Sequence, residues 1–203
     1  LSEKRLFYWA ARFGQWWSAR QLAAKTKLVQ QAFPSAKTHT LPTDHGFLNA
    51  WGSPWLGMSY RLLDLFELGR QQAVDYLGSE DWLGLNHMYG PGSTWTGAQT
   101  FEYFTAVLGA GVTSPKQQLV AWITPSDEGF LRLKAFGALA QGAKHFYFWT
   151  YGPTYISTEN YWSDLKSEYV GIPKVLRDLA PVEETLFAAQ PVRDPVAILY
   201  SVS

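Results

Sequence analysis

The chain contains no cysteine. Disulfides and thiolate metal sites are therefore excluded from it, and a disulfide-stapled secreted scaffold is disfavoured. It has no apolar run of about eighteen residues or more, so no membrane span or membrane partner is expected. No charged-then-apolar leader opens it, so no signal peptide is visible. The first residue is Leu1 rather than Met, which reads as a processed or partial chain and leaves the compartment open. Charge is also scarce: Asp, Glu, Lys and Arg make up 17% of residues, and 17 cations balance 17 anions. With no basic stripe, nucleic acid is not an expected partner. No glycine-rich phosphate loop follows any expected strand, so nucleotide binding is poorly supported and no cofactor is expected.

Aromatic rings are what the chain has in excess. Phe, Trp and Tyr reach 16%, with ten tryptophans among 203 residues. The run "GAKHFYFWTYGP" (142–153) holds Phe146, Tyr147, Phe148, Trp149 and Tyr151 beside His145. A large core uses Phe freely. An excess of Trp and Tyr also marks clefts, because each ring offers a flat face and a polar tip. The length is enough for one domain, or one domain and a piece of another.

Periodicity lays out an alternation of helices and strands. Leu6, Ala10, Phe13, Trp17, Ala24 and Leu28 recur at helical spacing through about residue 30. Strands are expected over 36–41, 73–79, 117–124 and 144–150, with helices over 59–72, 98–110 and 130–142 between them. A fifth helix runs over 165–179, where Pro173 is expected to kink or split it. A further helical turn or two fall in 181–190, and "PVAILYSVS" (195–203) reads as a fresh strand. Such alternation gives parallel strands in sequential order with helical crossovers. The loops after the strands are the long ones, as at the active-site end of (β/α)₈ barrels.

Several of these runs resemble the β-galactosidases of glycoside hydrolase family forty-two and related clan A barrels. "RLKAFGALAQGAKHFYFWTYGP" resembles their last helix and eighth strand. "AVDYLGSEDW" is similar to the sixth strand, and "QAFPSAKTHT" to the fifth after its helix end. "PVAILYS" resembles the first strand of the flavodoxin-like trimerisation domain that follows. The resemblance implies an α/β chain that is the C-terminal half of a TIM (β/α)₈ barrel, strands five to eight, over 1–190. A following domain would begin at 191–203, and a homo-oligomer would go with it. It also implies a β-galactosidase-like hydrolase acting on β-linked glycans, whose fourth-strand acid/base lies upstream. One departure stands out: the family's nucleophile is a Glu at the tip of strand seven, and here that strand ends Trp122-Ile123-Thr124. The alternative is therefore a glycan-binding barrel without turnover.

Candidate site residues follow from these strand ends. Glu80 and Asp81 close a buried strand beside Trp82, and adjacent acids point to opposite faces, so at most one faces a barrel mouth. Asp127 and Glu128 follow Pro125-Ser126. Glu128 is the loop candidate for the second carboxylate, with helix capping as the plainer account of this run. Trp82, Trp122, Trp149 and Tyr151 are the rings expected to stack on a sugar. Phe146 and Phe148 are assigned to the core. His39 is expected to hydrogen-bond substrate. With Asp44 and His45 it invites a metal reading, but the spacing fits no ligand pattern and no metal is expected.

Overall fold

The computed structural model describes residues 2–40, 64–78, 81, 93–124, 128–149, 165–192 and 195–199. In chain order the elements are α1 (Ser2–Ala32), β1 (His39–Thr40), α2 (Leu65–Arg70), β2 (Tyr76–Leu77) and α3 (Ser93–Gly111). Then follow β3 (Gln118–Ile123), α4 (Glu128–Ala140), β4 (Ala143–Phe148) and α5 (Leu165–Leu179). A 3₁₀ turn (Ala180–Val182) leads into α6 (Glu183–Ala188). The strands form one parallel sheet in the order β1-β2-β3-β4. That is the order expected from the alternation, and β1 and β4 are its outer strands. No helix among the described residues is long and apolar enough to cross a membrane.

The core lies between one face of this sheet and the helices. Leu77, Leu119, Ala121, Ile123 and Ala143 supply the strand side. Leu68 of α2, Phe101, Phe104 and Leu108 of α3, Leu131 and Ala135 of α4, and Ile172 and Val175 of α5 supply the helix side. Period two in β3 explains its part: alternate residues meet the helices. Between β3 and β4 the register slips by one. Leu119 pairs with Ala143, but Val120 pairs with His145. Gly142, at φ 94°, ends α4 and turns the chain into β4, a conformation glycine adopts at no steric cost.

Local chemistry starts and seats the helices. Asp64 caps α2, accepting from the amides of Phe66 and Glu67, and also takes Arg12 of α1 at 2.9 Å. Thr26 of α1 donates to the carbonyl of Ala73 at 2.6 Å, and Gln30 reaches the Asp75 carboxylate. Helices α2 and α3 meet at Gly69 and Gly111, where a Cβ on Gly69 would lie 1.5 Å from the Gly111 carbonyl oxygen.

Three expectations need correction, and the facing of α1, which its periodicity leaves open, is settled by polar contacts. The apolar stripe of α1 is its outer face: Leu6 is 71% exposed, and Phe13, Trp17 and Leu28 are exposed with it. The helix instead docks through Gln15, Ala19 and Thr26, because its hydrogen bonds to Asp64, Ala73 and Asp75 fix which side faces inward. Helix α5 passes through Pro173 without splitting, carried by burial of Ile172, Val175 and Leu179. Phe146 and Phe148 are half-buried rather than buried. They pack on the helix side, and Phe146 lines a cavity of about 300 Å³ with Leu176 and Leu179. Residues 196–199 are irregular and exposed, not strand. Apolar β-branched composition gives a strand only where a neighbouring strand takes up its backbone groups.

Candidate functional site

The sheet face turned away from the core carries a continuous set of rings. From β1 to β4 it presents His39, Tyr76, Gln118, Trp122, His145 and Tyr147, none of which belongs to the core cluster. The His39 and Trp122 rings lie within 9° of parallel, with centroids 5.5 Å apart. Trp122 and Tyr147 follow at 5.0 Å and 18°. Tyr147 stands 6.2 Å from His39, although β2 and β3 lie between their strands. In a flat sheet three strand spacings amount to about 14 Å. The side chains therefore converge over this face, as they do inside a curved sheet. Deeper in the same face, Tyr76 meets His145 at 4.8 Å across β3.

Hydrogen bonds engage both histidines. Trp122 Nε1 donates to His39 Nε2 at 3.2 Å, so that nitrogen is bare and the proton sits on Nδ1. His145 Nε2 lies 2.5 Å from Gln118 Oε1, a contact whose direction follows the tautomer of the ring. Burial pushes both imidazoles below their ordinary range. Two histidines held neutral give stability a definite pH sign. The unfolded chain takes up protons first, so their contribution is complete above about pH 6.5 and is lost as pH falls below it. Urea unfolding should show a falling midpoint from about pH 7 to about pH 5, and His39→Gln should flatten part of that slope. An unchanged slope in the variant would mean that His39 titrates normally.

At the carboxyl ends of the strands, three runs are joined. The Trp149 amide donates to the Ile123 carbonyl at 3.0 Å, and the Trp149 and Trp122 rings lie 6.3 Å apart. Trp149 Nε1 is buried and finds no acceptor among the described residues. Thr124 Oγ1 donates to the Asp81 carbonyl at 2.5 Å, and the Thr124 amide to Asp81 Oδ2 at 2.9 Å. Asp81, Thr124 and Trp149 thus lie at neighbouring strand ends, as parallel strands require.

The two described acids among the candidates are engaged elsewhere. Asp81 is 2% exposed, and Lys134 Nζ on α4 donates to both its carboxylate oxygens, at 2.7 and 2.5 Å. Its side chain thus faces the helix layer rather than the ring-bearing face. Glu128 stands at the start of α4 and joins Lys174 of α5 at 2.6 Å and Arg132 at 3.2 Å. Lys174, and then Arg132, hold this carboxyl below its ordinary range. It ties helices together on the outside of the sheet. Glu80, Trp82, Tyr151, Asp44, His45 and Asp127 lie outside the described residues.

Sequence reasoning missed Tyr147, His145, Gln118 and Lys134. Strand parity carried a signal for the first two, since His145, Tyr147 and Trp149 are spaced by two. For Lys134 the signal was a lone cation in step with Phe130, Leu131, Ala135 and Ala138 on the buried face of α4. The chain matches no family model, no curated protein and no solved structure.

Proposed function

We propose that this chain is the C-terminal half of a (β/α)₈ barrel, strands five to eight, from a carbohydrate-active protein resembling the family forty-two β-galactosidases. Its ligand is a β-linked glycan, held at the carboxyl ends of the strands. The observation that carries this reading is the convergence of His39, Trp122 and Tyr147 from the outer and inner strands onto one face. Converging side chains fit a curving sheet, and flat rings with neutral polar edges suit the C–H faces and hydroxyls of sugars. Exposed apolar residues along α1 and two outer strands fit a sheet that continues into further βα units.

Hydrolysis with retention needs two carboxyl groups about 5 Å apart. Asp81 and Glu128 are both held in ion pairs away from the rings. In this reading the described residues supply the platform, and the carboxylate pair comes from Glu80 and from elsewhere. A glycan-binding barrel without turnover is the second reading, favoured by Thr124 at the tip where the resembled family has its nucleophile. Turnover of an aryl β-galactoside by the protein separates the two.

The platform is tested by Tyr147→Ala. Tyr147 is 41% exposed, so stability should change little. Affinity for a β-galactoside should fall about tenfold, or about 1.4 kcal/mol. Unchanged affinity in the folded variant would remove the ring from the site.

A further inference from the structure

The buried pair of Lys134 and Asp81 has no obvious reason to exist as a stabilising device. Lys134 is 0% exposed, and well-packed apolar residues commonly replace such pairs without loss. Its position is informative. Asp81 follows β2 and lies between Glu80 and Trp82 in sequence, while Thr124 directly follows β3. One carboxylate accepts from Lys134 Nζ and from the Thr124 amide, and the Asp81 carbonyl accepts from Thr124 Oγ1. The ammonium is enclosed as well, 4.2 Å from the Phe130 ring centroid and 5.3 Å from that of Phe101. From Thr124 the linkage continues through Ile123, whose carbonyl holds the Trp149 amide.

We propose that Lys134 is a positioning residue: from the helix layer it sets the two strand ends, and through them the placing of Trp122 and Trp149 against a bound glycan. The ligand part of this inference rests on the glycan reading above; the placing of the rings does not. Geometry decides between positioning and mere filling. An apolar residue at 134 would fill the same space between Phe101 and Phe130, but only a cation with directed donors fixes both oxygens of Asp81, and with them the angle at which Thr124 is held.

The test is the double variant Lys134→Met, Asp81→Asn, which removes both charges together and leaves no buried unpaired charge. Two readouts are taken on folded protein: ¹⁹F resonances of fluorotryptophan at 122 and 149, and affinity for an aryl β-galactoside. Displaced resonances with affinity lowered about tenfold are expected, since small misplacements at a site are costly. Unmoved resonances overturn the proposal, and so does unchanged affinity. If the unaltered protein binds no glycan, the glycan reading fails by itself, and the resonances alone decide the positioning role. Should the double variant not fold, Thr124→Val deletes only the hydroxyl bond to Asp81. It should displace the same two resonances, and their staying in place overturns the proposal equally.

Discussion

Asp81→Ala should destabilise the fold by about 3–5 kcal/mol, the usual cost of removing one partner from a buried ion pair. The loss has two parts. Lys134, with no exposed surface, loses the carboxylate that both these bonds reach. The Thr124 amide, also buried, loses its acceptor. Neither group can turn to water without opening the contact between α4 and the sheet. Urea unfolding would show this as a large fall in midpoint at an unchanged slope. The double variant Asp81→Asn, Lys134→Met should recover much of the loss, because desolvating two charges is itself expensive. A fall below about 1 kcal/mol for Asp81→Ala would mean that the pair is wetter than its burial indicates.

Gly69→Ala should be comparably severe, at about 4 kcal/mol or more. Here the cause is steric. A methyl on Gly69 would lie 1.5 Å from the carbonyl oxygen of Gly111 and 2.2 Å from its carbon. Both obstacles are backbone, so no rotamer change relieves the clash, and α2 must move bodily from α3. That movement would disturb Leu65 and Leu68, which are buried on the same helix. Gly111→Ala is gentler, since its nearest obstacle is the Leu65 carbonyl at 2.8 Å. Thermal unfolding of the two variants should rank them in that order. A Gly69→Ala protein as stable as the parent would show that the helices do not cross at this point.

The architecture was legible because it follows from periodicity. Apolar runs such as "QLVAWI" alternating with helical spacing give parallel strands, and sequential order follows from crossovers of ordinary length. The facing of α1 was not legible. Its sequence offers an apolar stripe through Leu6, Phe13 and Trp17, yet the helix is seated by Arg12, Thr26 and Gln30, whose acceptors lie 45 to 52 positions away. Long-range polar partners leave no trace in local pattern. The same holds for Asp81: an acid at a strand end reads as a site residue until Lys134, 53 positions on, is found against it. The rings of the open face were half legible. Their abundance pointed to a cleft, and placing Phe146 and Phe148 on the core side leaves His145 and Tyr147 for the opposite face, but nothing local in sequence says that His39 and Trp122 join them there.

The facing of β4 has a physical source in the slipped register beside Leu119 and Val120. Ala143 and Lys144 both lie on the helix side of β4, and only after them does alternation begin with His145 outward. Which side chains β4 lends to the ring-bearing surface therefore depends on one surplus residue. Any single ring can be exchanged while its neighbours keep their places. Losing one residue from 143–145 would instead invert the strand, sending Phe146 and Phe148 to the open face and Tyr147 into the helix layer. A deletion here would thus remake the β4 side of that surface in a way that no single substitution could.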